Sequence, residues 1–316
     1  MENHRRKFLS YGEGITVIMK SNIIYPLLII IASSSYGILS TIVKLAMQNG
    51  FTSSEAITSQ YVFGFLLALI LVLITQRTLP TVPLKGWIIL LFAGVFTATT
   101  GVVYGHALNY LPASLAVVML FQFTWIGLFL DCALKKRLPT RLEVISLLFL
   151  FAGTILAAGV FDVDLTAIPW QGWAFGLASA LSFSIFIQIN ARQVTGITMI
   201  TRTFIVSVVA LIVISIFLSP EIIWNGQLSA GLWKYGLVLG LFGIILPILL
   251  FSLAAPKVGG GLTSILSAME LPVAILVSVI VLHEVVSTLQ LFGIVLVLIG
   301  MTLPPYLSMR KTKQKT

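Results

Sequence analysis

Apolar residues run along this chain in long unbroken stretches, and polar residues collect in the short gaps between them. A helix of ~20 mostly apolar residues crosses the ~30 Å hydrocarbon core of a bilayer. Ten stretches reach that length: 23–48, 56–76, 86–109, 112–134, 141–160, 170–191, 198–218, 232–254, 260–282 and 286–308. In lipid every backbone N–H and C=O must be paired within the protein, so such runs predict helices. The gaps hold turn residues: Asn49-Gly50, Pro80, Pro83, Pro112, Pro139, Pro169, Pro220, Asn225-Gly226 and Gly259-Gly260-Gly261. None is long enough for a separate soluble domain. The pattern predicts an all-α polytopic membrane protein of ten transmembrane helices.

Composition supports that reading. Of 316 residues, 58% are apolar and 9% charged, against about 25% charged in an ordinary soluble domain. So few charges exclude most soluble enzymes, disordered chains and disulfide scaffolds. The net charge of +9 comes from basic residues in the gaps, not from a basic face with interleaved aromatics, so nucleic acid is not an expected partner. The single Cys132 cannot form an internal disulfide and reads as a small core residue. No nucleotide loop, metal cluster or catalytic triad is visible. His283-Glu284 lacks the second His of a zinc-protease motif, and no Lys-Ser/Thr follows Gly259-Gly260-Gly261. Neither a cofactor, a metal nor an enzymatic activity is expected.

Lys and Arg set the expected orientation. With the N-terminus cytoplasmic, Arg5, Arg6, Lys7, Lys20, Arg77, Lys85, Lys135, Lys136, Arg137, Arg141, Arg192, Arg202, Lys257, Arg310, Lys311, Lys313 and Lys315 fall inside. Only Lys44 and Lys234 fall outside, a split of 17 to 2. Acidic Glu55, Asp162, Asp164, Glu221 and Glu284 lie outside as well. The expectation is a multi-pass protein of the cell membrane with both termini cytoplasmic. Residues 1–18 lack a helix-length apolar run, and a start of translation at Met19 is one reading of them.

The two halves repeat at a spacing of about 147 residues. Trp87 matches Trp233, Ala107 matches Ala254, Gly153 matches Gly300, and the hinge 109–114 matches 256–261. Five helices per half is an odd number, so the second half sits inverted in the membrane. Inverted repeats are a transporter architecture with the substrate site at the repeat interface. The expected organisation is a segment 1–22, repeats 23–160 and 161–308, and a basic tail 309–316.

Run nine reads Gly260-Gly261-Leu262-Thr263-Ser264-Ile265-Leu266-Ser267-Ala268-Met269-Glu270-Leu271-Pro272-Val273 and continues to His283-Glu284. Run ten follows with Leu289-Gln290-Leu291-Phe292-Gly293 and Leu298-Ile299-Gly300. This resembles the end of the repeat in EamA-type transporters of the drug/metabolite transporter superfamily, in both halves of the chain. The resemblance implies ten helices, cytoplasmic termini, a central cavity between the halves and movement of small organic metabolites, often export. The first half departs from the pattern: Gln122 is expected where the second half has Glu270, Thr124 where it has Pro272, and Lys136 where it has Glu284.

Glu270 lies about ten residues into its run, hence ~15 Å deep. An intramembrane carboxylate costs ~3 kcal/mol unless paired, hydrated or protonated. That suits a proton or cation site; a structural Glu bonded to a neighbouring helix is the other reading. Pro272 frees a backbone carbonyl in the same turn. Gln122 and Trp125 share a helix face at matching depth, where Trp125 either stacks on a cargo or fills space. Tyr36 and Thr100 are similarly deep; membrane Ser and Thr more often bond their own backbone. His106, near the end of run three, either relays protons to Glu270 or is simply solvated. Pro247 in mid-run kinks its helix, as a gating hinge or as shape. Gly101/Gly105, Gly172/Gly176 and Gly236/Gly240 permit close helix approach.

Together these features predict a secondary-active carrier working by alternating access, exporting small organic metabolites, amino acids or drug-like compounds. Its expected partners are a small-molecule substrate and the bilayer, with proton coupling through Glu270; the oligomeric state is open. The alternatives are a nucleotide-sugar or lipid-headgroup carrier, or a channel or non-transporting membrane protein.

Overall fold

The computed structural model describes residues 2–76, 82–111, 113–159, 168–218 and 221–313, which form helices joined by turns and short loops with no strand among them; side chains are described within 23–304. Pro80, Pro112, Asp162, Asp164, Pro220, Arg77 and the side chains of both terminal segments lie outside them.

Each predicted run is a helix, numbered here α1 to α10. These are α1 (Glu2–Gln48), α2 (Ser53–Thr75), α3 (Leu84–Leu108), α4 (Ala113–Phe121 and Phe123–Leu134) and α5 (Arg141–Ala158). The second half holds α6 (Trp170–Asn190), α7 (Met199–Leu218), α8 (Leu228–Leu232 through Leu246–Val258), α9 (Gly260–Leu266 through Glu270–Leu282) and α10 (Thr288–Lys313). Among the described residues nine are long and apolar enough to span a membrane, and the tenth, Thr288–Pro304, is apolar but shorter. Capping boxes start α2 at Thr52/Glu55 and α5 at Thr140/Glu143. Each satisfies two backbone donors that the helix itself leaves open.

The helices alternate between the halves of the chain. α1 packs on α8, α8 on α2, α2 on α7, α7 on α3, α3 on α6, α6 on α4, α4 on α9, and α9 returns to α1. This is a closed ring of eight in which every neighbour comes from the other half. α5 and α10 pair outside it, behind α4 and α9. Exchanging each helix for its counterpart five places along maps the ring contacts onto themselves, as an inverted repeat requires. The halves are interlocked, not two lobes side by side.

Small residues allow this interlocking, because helix association in lipid depends on close packing. A methyl on Gly240 would stand 2.6 Å from the backbone N of Gly64, joining α8 to α2. One on Gly176 would meet Met119 Cβ at 2.7 Å, joining α6 to α4. At the α5–α10 crossing a methyl on Gly153 would meet the Gly293 carbonyl at 2.8 Å, and one on Gly293 the Gly153 carbonyl at 2.7 Å. Of the six paired glycines expected to mediate approach, Gly105 is the loose one, with Ile57 Cδ1 at 3.7 Å.

The α8 backbone accounts for a change of repeat spacing. Trp87 and Trp233 are 146 residues apart, whereas Ala107 and Ala254 are 147 apart. Between them α8 contains a π-turn, Leu241–Ile245, while α3 runs without one. A π-turn absorbs one extra residue. It stands just before Pro247, which lacks an N–H and whose ring crowds the carbonyl four residues back, so the irregularity expected at Pro247 takes the form of this bulge. α9 is also broken, by a tight turn Ser267–Met269 leading into Glu270 and Pro272. α4 breaks at Gln122.

Filling the α5–α10 crossing should destabilise the protein. Gly293→Leu forces side-chain atoms against backbone, at a cost of about 1–3 kcal/mol. Thermal unfolding in detergent should show a lowered Tm for Gly293→Leu and little change for Gly105→Ala.

Candidate functional site

Call the face bearing the start of α1 and the end of α10 the terminal face, and the opposite one the far face. The lumen of the ring is closed toward the terminal face by aromatic rings from four helices. Tyr36 on α1 stacks on Phe251 of α8 at 6.1 Å and meets Phe183 of α6 edge-on at 5.8 Å. Phe186 of α6 meets Phe251 at 6.1 Å, and Phe123 of α4 meets Phe183 at 4.8 Å. α6 and α8 stand on opposite sides of the ring, so these contacts cross the lumen. Phe123, Phe186 and Phe251 are fully or almost fully buried. The terminal-face half of α9 is buried almost throughout from Gly260 to Ala268, whereas between Met269 and Leu282 only Leu271 and Pro272 are buried.

Glu270 stands at the boundary. It is half-buried, ten residues from the terminal-face end of its helix. Its carboxylate accepts no hydrogen bond among the described residues. Tyr36 of α1 precedes Gly37, whose backbone lies against the Glu270 turn, and Tyr104 of α3 is half-buried in the far-face half of the ring. Tyr61 donates its hydroxyl to the Thr97 carbonyl at 3.0 Å. The chain is drawn in at this level by Gly37: a methyl there would stand 2.5 Å from the Glu270 carbonyl oxygen and 2.9 Å from Ala274 N. α1 therefore lies directly on the backbone of the Glu270 turn.

The other expected site residues are dispersed. Gln122 donates to its own helix at the Val118 carbonyl, 2.9 Å away, and accepts the Trp125 indole N–H at 2.6 Å. Trp125 is 38% exposed and meets Phe129 edge-on, apart from the ring cluster. Thr100 bonds the Phe96 carbonyl at 2.7 Å and Ser182 Oγ at 2.8 Å, tying α3 to α6. His106 is exposed at the far-face end of α3 and stacks on Phe175 at 5.6 Å. It is not beside Glu270.

The expected match of Gln122 to Glu270 is one residue off. Ser184 of α6 donates to the Phe123 carbonyl at 3.2 Å, just as Gly37 of α1 abuts the Glu270 carbonyl. Ser184 and Gly37 are 147 residues apart, as are Phe123 and Glu270. The counterpart of the carboxylate is thus a buried phenylalanine. A single sequence misses this because polar residues attract the alignment, whereas backbone contacts fix the register.

Two charged clusters frame the lumen. At the terminal face Asp131, 3% exposed, receives Lys135 at 2.8 Å and Arg137 at 3.1 Å, and Arg137 also binds Glu143 at 2.8 Å. The two carboxylates hold the Arg137 guanidinium well above its ordinary range, that of Glu143 contributing most. A methyl on Gly261 would stand 2.9 Å from Asp131 Oδ2, so this cluster lies against the start of α9. At the far face Lys44 of α1 pairs with Glu284 beyond α9. Its hydrogen bond holds the Glu284 carboxyl below the usual carboxylate value. The sequence reading left out Asp131, Glu143, Tyr104 and Gly37. The alternation of acid and base at 131, 135, 137 and 143 was the available signal for the first pair.

The contribution of the Lys44–Glu284 pair is present at neutral pH and is lost as pH falls through the lowered pKa of Glu284. An exposed pair of this kind is worth about 0–1 kcal/mol. Glu284→Gln should melt slightly below wild type at pH 7, and the gap should close below pH ~4. Combining Lys44→Glu with Glu284→Lys should restore the wild-type Tm.

Comparison with known proteins adds the following. The model of the EamA-like transporter family matches residues 23–159 and 170–303, one match per half. No curated protein matches the chain. Among solved structures 29 chains match. One, described as "Crystal structure of protein", superposes with a TM-score of 0.69 over 92% of this chain and 98% of that one, at 15% identity. At that identity the likeness establishes the fold alone.

Proposed function

Since the chain belongs to the EamA-like transporter family, a family of multi-pass membrane transporters for small molecules, we propose that it is a secondary-active carrier whose cargo passes through the lumen of the eight-helix ring by alternating access. The observation that carries this reading is a broken symmetry. α6 and α8 meet across the lumen near the terminal face, whereas among the described residues their repeat counterparts α1 and α3 make no comparable contact. An inverted repeat offers two equivalent closures, and this structure holds one of them. Each closure exposes the site to one side of the membrane.

Glu270 is the proposed coupling group. It is the one carboxylate placed at mid-depth among the described residues, and ionisable groups so placed mark ion and substrate pathways. No Lys or Arg stands at its depth among the described residues. That supports a neutral or cationic cargo over the anionic head of a nucleotide sugar. With the basic residues of the terminal face cytoplasmic, an inward proton gradient drives export. Tyr36 and Tyr104 flank the carboxylate on the cargo path; Gln122, Thr100 and His106 serve packing.

Glu270→Gln should reduce proton-driven transport in proteoliposomes at least tenfold, while gel filtration and Tm stay near wild type. Counterflow of a radiolabelled cargo, selected from amines, amino acids and sugars by thermal stabilisation of the purified protein, tests the carrier. Unaltered transport and pH dependence in Glu270→Gln would remove the carboxylate from the mechanism.

A further inference from the structure

The repeat assigns residues to the closure that this structure does not show. At the spacing of 147 residues Phe183 corresponds to Tyr36, Phe186 to Leu39 and Phe251 to Tyr104. The register rests on three observations. Ser184 and Gly37 touch the same backbone position of α4 and α9. The buried positions Gly176, Ser179, Ala180, Ser182 and Ser184 of α6 match buried Ile29, Ala32, Ser33, Ser35 and Gly37 of α1. Past its π-turn α8 keeps the 147 spacing to α3.

We infer that Tyr104 is the far-face gate: in the alternate state it closes across the lumen onto Leu39 and Phe183. Each terminal-face contact has a counterpart. The stack of Tyr36 on Phe251 becomes Tyr104 on Phe183, and the contact of Phe186 with Phe251 becomes Leu39 with Tyr104. The contact of Tyr36 with Phe183 maps onto itself, so these two rings stay together and form the pivot. Phe251 then leaves Tyr36 and Phe186, and the lumen opens to the terminal face. Tyr104 is suited to the part. It is half-buried here and lies four residues from the far-face end of α3. Closing it seals cargo and carboxylate from the far side in one movement. An aromatic ring crossing a lumen excludes water without carrying a charge of its own. The Lys44–Glu284 pair lies on the same face but joins α1 to the end of α9, which are already neighbours in the ring. It does not span the lumen.

This inference rests on the carrier reading, and the test separates the two. In full-length protein with Cys132→Ala, cysteine pairs are placed at Leu39 and Tyr104, and separately at Phe186 and Phe251. A disulfide forms only when Cα atoms approach to about 4.4–6.8 Å. Oxidation of both pairs in proteoliposomes should give an intramolecular crosslink, seen by mobility on a gel. Each crosslink should lower counterflow at least tenfold, with recovery on reduction. The pair at 186 and 251 locks the present state, and the pair at 39 and 104 locks the other. A 39–104 pair that resists oxidation while 186–251 crosslinks and the reduced protein counterflows overturns the gate and leaves the carrier standing. Crosslinking of both pairs in a protein that shows no counterflow in any form upholds the gate geometry and overturns the carrier. Should the Tyr104 variant be impaired even when reduced, the gel readout alone decides, provided the protein is monodisperse.

Discussion

Everything in this molecule depends on how closely its helices can approach. Lipid chains are as apolar as the side chains they surround, so burial from water does not drive one helix against another. Contact must come from dispersion forces, which require short distances, and from the few polar bonds the chain supplies. Gly64, Gly153, Gly240 and Gly293 bring backbone against backbone, and Gly37 lays α1 on the turn that carries Glu270. Because the closest approaches join opposite halves, the repeats cannot separate as bodies. The alternating access proposed above would therefore occur by tilting within the ring, around contacts that persist, and not by parting of two lobes.

That geometry explains why the polar residues sort as they do. Thr100 with Ser182, Ser184 with the Phe123 carbonyl, and Gln188 with the Gly127 carbonyl are spent on joining helices. Each pairs a polar group that would otherwise cost a few kcal/mol unpaired in an apolar setting. The Glu270 carboxylate enters no such bond among the described residues. A mid-membrane residue facing a lumen differs from one facing a helix by whether its polar group is already satisfied.

Length and apolarity made the ten helices legible from the chain, because the bilayer fixes both. The inverted repeat was legible through Trp87, Gly153 and the 109–114 hinge. The depth of Glu270 followed from counting along one helix. What could not be read was lateral order. Nothing in a single run says that α2 lies between α8 and α7, so the neighbours of Glu270 stayed hidden. Tyr104 was missed for that reason, since its meaning comes from α9 and from Phe251. Gln122 was mistaken for the counterpart of Glu270 because like was matched with like; Pro247 marked an irregularity in α8, but not that it takes the form of a π-turn that shifts the spacing.

The mismatch between Phe123 and Glu270 bears on coupling. In the exchange of closures each residue takes on the surroundings its counterpart has in this structure. Phe123 is fully buried here, with the Phe183 ring at 4.8 Å. Glu270 would then pass from a half-buried position to a sealed one against Tyr36, the counterpart of Phe183. An ionised carboxylate entering such a place loses hydration that an aromatic ring does not return, at a cost of several kcal/mol. Neutralised by a proton or by a cationic group of the cargo, it enters freely. On the proposed carrier reading, a ring of symmetric backbone with one acidic position would carry a selection rule: the bare carboxylate would hold the far face open, and the exchange would proceed only with the charge covered. Were an acid present in both repeats, one of the two would be sealed in either state, and each closure would oppose itself. With phenylalanine at the first-half position that conflict does not arise, and on the proposed reading a single charge would bias which way the lumen faces.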